Sequence, residues 1–214
     1  MLKNKNKKVL VFGGSGFLGS HVTNRLSKNG YDVTIFDKKK SNFLDLNQKM
    51  FIGDITSTAD VKKSVDNIDY VFNFAGLSDM AHAHANPIDT INQNILGNCI
   101  ILEECKKKNI ERFIFASSIY VYSDKGGFYS ASKQACENYI ENYQKYYDLK
   151  YTILRYGSLY GPRSDLRNGI YRFIYDALTK KEMLFKGSEK AIREFIHVED
   201  AAEDTVKILS EEFE

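Results

Sequence analysis

After a lysine-rich start, every position from Val9 to Phe12 is apolar. A strand with one solvated face alternates apolar and polar residues, so an unbroken apolar run predicts a strand buried on both faces. Glycines follow. Residues 17–28 then carry a helical pattern closed by Asn29-Gly30, a helix stop signal. The alternation repeats along the chain. Strands are predicted at 31–36, 50–52, 69–74, 112–116 and 151–154, and helices at 58–65, 88–108 and 129–147. Within 88–108, Ile88, Ile91, Ile95, Cys99, Leu102 and Cys105 recur at steps of three or four and form one apolar stripe. This order predicts an α/β fold, a doubly wound parallel sheet with helices on both faces. Beyond Pro162 the rhythm changes to a helix near 170–178, short strands near 183–185 and 194–197, and a last helix from Glu199. The expected division is a sheet domain over residues 1–160 and a smaller lobe over 161–214.

Composition narrows the possibilities. Of 214 residues, 43% are hydrophobic, enough for a sizeable core, and the net charge of +2 points to neither nucleic acid nor a membrane surface. The basic run Lys3–Lys8 reads as a solvated tail. Cys99, Cys105 and Cys136 are odd in number and lack CxxC spacing, which argues against a disulfide framework or a zinc site and fits a reducing cytoplasm. No apolar run approaches the roughly 20 residues of a membrane span. His82 and His84 have no cysteine or carboxylate at ligand spacing, so no metal is expected, and His197 reads as structural.

Two motifs carry chemistry. Gly13, Gly16 and Gly19 form GxxGxxG between an apolar strand and a helix, and Asp37 ends the next strand. Glycines let backbone N–H groups approach a pyrophosphate at the positive end of a helix, and the acidic residue accepts ribose hydroxyls. Asp37 also repels a 2′-phosphate, which favours NAD over NADP despite Lys38, Lys39 and Lys40 beside it. Tyr129 and Lys133 form YxxxK, one helical turn apart. The lysine ammonium is expected to lower the phenol pKa and fit Tyr129 for acid/base work. Ser117-Ser118 ends the preceding strand and offers a hydroxyl beside it, whereas Tyr139, Tyr143, Tyr146 and Tyr147 read as packing residues.

With these motifs stand Gly53-Asp54-Ile55, Asn73-Phe-Ala-Gly76, Asn94-Ile-Leu-Gly97, SSIYVY at 117–122, LRYGSLYGPR at 154–163 and REFIHVEDAA at 193–202. From Lys8 onward the sequence resembles the NAD-dependent epimerase/dehydratase family of extended short-chain dehydrogenases, the family of UDP-glucose 4-epimerase. The resemblance implies a Rossmann fold holding NAD through Gly13, Ser15, Gly16, Phe17, Leu18, Gly19 and Asp37. It places Asp54 and Ile55 at the adenine, and Phe74, Ala75 and Gly76 along the cleft, with Asn94 and Tyr156 as further cofactor contacts. Ser118, Tyr129 and Lys133 match the catalytic set, and Lys133 also matches a holder of the nicotinamide ribose. Ser118, Ser158 and Arg193 match substrate contacts, Arg193 at the diphosphate. The helices at 88–108 and 129–147 match those that pair across a two-fold axis in a homodimer, with Cys99, Tyr139 and Tyr143 as contacts.

Several positions depart from the pattern. Ile119 and Tyr120 stand where sugar 4,6-dehydratases carry an Asp-Glu pair, which argues against dehydration. Ten residues separate Ser118 from Tyr129, a short loop for a segment that walls the sugar site. Ser158 replaces an asparagine and Ser78 a cofactor-contacting lysine, in a segment expected to form a loop over the cofactor. The family's substrate lobe uses segments that would follow Glu214, so the lobe is expected to be incomplete and sugar-nucleotide binding weak. Three readings stand: a nucleotide-sugar 4-epimerase serving polysaccharide biosynthesis, an NAD(P)-dependent keto-sugar reductase or dehydrogenase, and a non-catalytic NAD(H)-binding scaffold or sensor.

Overall fold

The computed structural model describes residues 7–185, 188, 190 and 192–210. Six parallel strands form one sheet: β1 (Lys8–Phe12), β2 (Asp32–Asp37), β3 (Lys49–Ile52), β4 (Tyr70–Asn73), β5 (Arg112–Ser118) and β6 (Tyr151–Tyr156). Their spatial order is β3-β2-β1-β4-β5-β6. The chain winds outward from β1 in one direction, then returns to β4 and winds in the other. That reversal opens a crevice beyond the carboxyl ends of β1 and β4. This is the Rossmann arrangement.

The central strand shows why its sequence is apolar throughout. Leu10 and Phe12 face one layer, with Val61, Ile101, Leu102, Cys105 and Ile140. Val9 and Val11 face the other, with Val22, Leu26, Ala202 and Val206. The first layer is built by α2 (Thr58–Ser64), α5 (Gly97–Lys107) and α6 (Gly127–Tyr147). The second is built by α1 (Phe17–Lys28) and α8 (Val198–Lys207). Part of the segment expected as a lobe therefore lies against the sheet. The rest includes β7 (Ser158–Tyr160), parallel to β8 (Phe195–His197), and α7 (Gly169–Lys180).

The structure corrects four readings. The helix expected at 88–108 is helical throughout but not uniform: α4 (Pro87–Thr90) passes through a wider π turn, Ile91–Leu96, into α5. The π turn inserts extra rotation, so the apolar stripe breaks. Ile88 and Ile91 are exposed and Cys99 is half-buried, while Asn94, Leu102 and Cys105 are buried. Residues 183–185 form no strand; they are exposed, and β8 pairs with β7 instead. The segment expected as a loop after Gly76 contains α3 (Met80–Ala85), because Asp79 Oδ1 accepts from the N–H groups of Ala81 and His82 and caps a helix there. Lys7 is also no solvated tail residue: its ammonium pairs with Asp69 and Glu111. Residues 3–6 of that basic run lie outside the described residues.

Candidate active site

The loop between β1 and α1 is shaped by two close approaches. Gly13 has φ +75°, and a Cβ there would lie 2.6 Å from the Ala75 nitrogen. At Gly19 a Cβ would lie 2.2 Å from the Gly13 carbonyl oxygen. Only glycine lets the loop lie flat against the end of β4 and the first turn of α1 seat beneath it. Gly16 caps α1 without a side-chain bond, and no acidic residue occupies the first turn. The helix thus presents its free N–H groups and positive end to the crevice, as an anion site requires. Ser15 and Asp37 close the loop's far side, where Asp37 Oδ2 accepts from Ser15 N–H at 3.1 Å. Lys38 does not stand free beside Asp37. Its ammonium lies 3.1 Å from Asp54 Oδ2 and donates to Gln93 Oε1 at 2.9 Å.

Behind this cradle the expected cofactor residues divide. Phe74, Ala75 and Gly76 follow β4 and border the crevice through Gly13. Ile55 instead sends its side chain into the core, where its Cδ1 would meet a Cβ at Gly97 at 2.7 Å. Asn94 is buried, and its amide is already committed. Oδ1 accepts from Leu77 N–H at 2.7 Å, and Nδ2 donates to the Leu77 carbonyl and to Ser132 Oγ. It pins the post-β4 loop to α6, and the π turn is what aims it there. Tyr156 gives its hydroxyl to Thr205 of α8 at 2.6 Å, which leaves its ring, 6.5 Å from that of Phe74, to face the cleft residues.

Ser118, Tyr129 and Lys133 do come together at the carboxyl end of β5. The Ser118 hydroxyl lies beside Tyr129 and accepts from the Tyr120 N–H at 3.3 Å. Lys133, on the next turn of α6, donates to the Ala116 carbonyl at 2.7 Å, and its ammonium lies 5.9 Å from the Tyr129 ring centroid. All three side chains are largely buried. The expected lowering of the tyrosine pKa by lysine is not what this geometry produces. Burial pushes the Tyr129 phenol above its ordinary range, and the opposing pull comes from Ser118. Burial likewise pushes the Lys133 ammonium down, against Cys136 and Glu137. The physical reason is that the ammonium is spent on a backbone carbonyl and held over the Phe115 ring at 4.6 Å, away from the phenol oxygen.

The short segment after Ser118 is two tight turns, at Ile119–Tyr122 and Asp124–Gly126, clamped by α6. Ser130 Oγ donates to the Tyr120 carbonyl at 2.7 Å and Gln134 Nε2 to the Val121 carbonyl at 2.7 Å. Of the other expected substrate residues, Ser158 lies on β7 opposite Phe195, and Arg193 stands exposed just before β8. Among the described residues no hydrogen bond joins Arg193 to the serine–tyrosine–lysine set. His82 reaches Asp89 at 3.5 Å, and His197 caps α8. Among the described residues no three metal-ligating groups cluster. Sequence reasoning missed the pair of buried Glu137 and exposed Arg155, whose Arg155 Nη2 lies 2.7 Å from Glu137 Oε2. Its available signal was a glutamate one turn after Lys133, on the helix side that carries Tyr129 and Lys133.

Comparison with known proteins places this geometry. The model of the NAD dependent epimerase/dehydratase family matches residues 9–214. A Methanocaldococcus jannaschii protein provisionally named a UDP-glucose 4-epimerase is 30% identical, over 94% of this chain and 73% of its own length. A solved UDP-N-acetylglucosamine 4-epimerase from Methanobrevibacter ruminantium, in complex with UDP-N-acetylmuramic acid, superposes with TM-score 0.86 at 30% identity. That alignment covers 94% of this chain and 72% of the other. The Thermotoga maritima UDP-glucose 4-epimerase with UDP-glucose gives TM-score 0.89 at 28% identity, over 95% and 73%.

Proposed function

This chain belongs to the NAD-dependent epimerase/dehydratase family, and we propose that it is a nucleotide-sugar 4-epimerase. The observation that carries the reading is the meeting of Ser118, Tyr129 and Lys133, all largely buried, at the carboxyl end of β5 beside a glycine cradle, in a chain similar to solved 4-epimerases. The cradle fits a dinucleotide: two positions where a Cβ would collide with backbone, an uncapped helix N-terminus and one carboxylate at the end of the next strand, bonded to the loop. Gly13, Ser15, Gly16, Phe17, Leu18, Gly19 and Asp37 would hold NAD's pyrophosphate and adenosine ribose, with Asp54 at the adenine. Phe74, Ala75, Gly76, Tyr156 and Lys133 would border the nicotinamide half, and Asn94 would act by holding their loop. When bound, NAD supplies reversible hydride acceptance at the sugar carbon.

The chain's own residues then do the proton chemistry. Ser118 holds the C4 oxygen of the sugar, Tyr129 as the phenolate takes the proton from that hydroxyl, and the phenol so formed later returns it. The Lys133 ammonium keeps the site positive and so favours the phenolate from which the step starts. Burial excludes water while the keto-sugar turns over. No carboxylate pair follows Ser118, since Ile119 and Tyr120 stand there, so nothing is placed to expel water from the sugar. Ser158, near the end of the NAD-binding domain proposed for residues 1–160, and Arg193, in the smaller lobe proposed for 161–214, would contact the sugar nucleotide. Incubation with UDP-glucose, UDP-N-acetylglucosamine and UDP-glucuronic acid, followed by NMR of the products, tests this. C4 epimers should form with no net change in nicotinamide absorbance. A stoichiometric absorbance change would support the reductase reading, and tight NAD binding without turnover of any sugar nucleotide would support the scaffold reading.

A homodimer fits the exposed apolar residues on the π turn and α6, among them Ile91, Leu96 and Tyr139. A cytoplasmic setting fits three unpaired thiols, at Cys99, Cys105 and Cys136.

A further inference from the structure

Three consecutive residues at the end of β5 each meet α6. The Ala116 carbonyl accepts from Lys133 Nζ at 2.7 Å. The Ser117 hydroxyl donates to Glu137 Oε1 at 2.5 Å. The Ser118 hydroxyl lies beside Tyr129. On the helix, Tyr129, Lys133 and Glu137 follow at steps of four along one side. Two of these contacts contain the proposed reacting groups. The third contains only Ser117 and Glu137.

Glu137 is largely buried, and a buried carboxylate needs a partner. Arg155, opposite Ser117 on β6, supplies one through two points, Nε to Oε1 at 3.0 Å and Nη2 to Oε2 at 2.7 Å. Its remaining Nη1 donates to the Tyr122 hydroxyl at 2.5 Å, and its guanidinium lies 5.0 Å from the Tyr122 ring centroid. Tyr122 ends the turn that Ser118 begins. Ser118 is therefore held on both sides: through Ser117 before it and through Tyr122 after it, both leading to the Glu137–Arg155 pair.

Holding the fold together does not explain this pair. β5 is already fixed by its ladders to β4 and β6, and α6 by Cys136 and Ile140 in the core. Arg155 is itself exposed, and an ion pair with one partner in solvent adds little stability. What it does uniquely is set the register of the strand end against the helix. Resting on the acid/base role proposed for Tyr129, we propose that Glu137, locked by Arg155, is a positioning residue. It fixes the peptide that carries Ser118 against the helix that carries Tyr129, and so sets where the Ser118 hydroxyl stands against the Tyr129 phenol.

The test uses the full chain labelled with ¹³Cζ-tyrosine, the Tyr129 resonance being assigned by its loss in Tyr129→Phe. The groups that act on the phenol are the Ser118 hydroxyl from β5 and the Cys136 thiol on α6, with the Lys133 ammonium 5.9 Å from the ring centroid and bonded to the Ala116 carbonyl. Ser118 is the neighbour that opposes the upward push of burial on the phenol. In Ser117→Ala and in Glu137→Ala the Tyr129 resonance should move, and its titration should shift upward by about 0.5 pH unit. The double variant should shift no further than Glu137→Ala, because both changes remove one bond. In parallel, kcat should fall roughly tenfold while KM and NAD affinity stay near wild type. Folded Ser117→Ala and Glu137→Ala proteins whose Tyr129 resonance and titration match wild type would overturn the proposal. Should Glu137→Ala not fold, Ser117→Ala still decides, since it leaves the ion pair in place. The resonance needs no turnover, so a wild-type protein that epimerises no sugar would remove the proposed function without touching this result.

Discussion

Helices α1 and α7 are both twelve residues long and both amphipathic, yet they meet opposite fates. Helix α1 buries Gly19, Ser20, His21, Val22, Thr23 and Leu26 between the sheet and α8. Helix α7 buries nothing, and Ile174 and Leu178 on it are 56% and 69% exposed. The cradle that α1 helps to build is thus completed by contacts within the described residues, whereas α7 leaves Ile174 and Leu178 in solvent. Amphipathic spacing tells a helix from a strand; it does not say whether the apolar face is covered. The same contrast separates the two halves of the proposed site. Ser118, Tyr129 and Lys133 are locked in a buried network, while Arg193 stands exposed at the edge of a two-stranded sheet.

The sharpest test of that contrast is chemical. Tyr129→Phe should lower turnover by roughly 10²–10⁴-fold, the usual worth of a positioned acid/base, while NAD affinity measured by calorimetry stays within a few-fold of wild type. Turnover near that of wild type would remove Tyr129 from the mechanism. The two helices can be compared directly by truncation. Leu26→Ala, at a fully buried position, should cost about 2–5 kcal/mol in denaturant unfolding. Its counterpart on α7, Leu178→Ala, should stay within about 0.5 kcal/mol, as exposed sites do. A large loss at Leu178 would mean that α7 is covered in solution.

A smaller effect concerns the cofactor. Asp37→Ala should weaken NAD binding and narrow its advantage over NADP, because the carboxylate both accepts ribose hydroxyls and repels a 2′-phosphate. Lys38 is already held by Asp54 and Gln93, so NADP should gain less from it than its position beside Asp37 implies. An unmutated protein that prefers NADP would reverse this assignment. The smallest effect is on pH dependence. Burial raises the Tyr129 pKa above its unfolded value near 10. The native state then holds that proton longer than the unfolded chain does. This contribution to stability is present below pH 10 and is lost as pH rises through the folded value. Tyr129→Phe should therefore soften the alkaline fall in stability, read as the pH dependence of the unfolding midpoint.

Much of this was legible in the residues alone. The apolar run Val9–Phe12, the glycines at 13, 16 and 19, Asp37 and the YxxxK pair are local signals. Each rests on spacing within one element or across one turn, and a strand buried on both faces or a helix with two side chains one turn apart is dictated by backbone geometry. Sequence therefore determined the Rossmann sheet, the cradle and the identity of the serine, tyrosine and lysine that meet. Tertiary structure decided what those groups are bonded to. Whether Lys133 faces a phenol or the Ala116 carbonyl, whether Asn94 meets a ligand or Leu77, and that Glu137 finds Arg155 are contacts between residues far apart in the chain. The same is true of α7, whose apolar spacing reads like that of α1. Burial and partner choice depend on which elements pack together, and no period along the sequence encodes that. The direction of the Tyr129 pKa followed from this packing: desolvation by the assembled fold outweighs the opposing pull of Ser118.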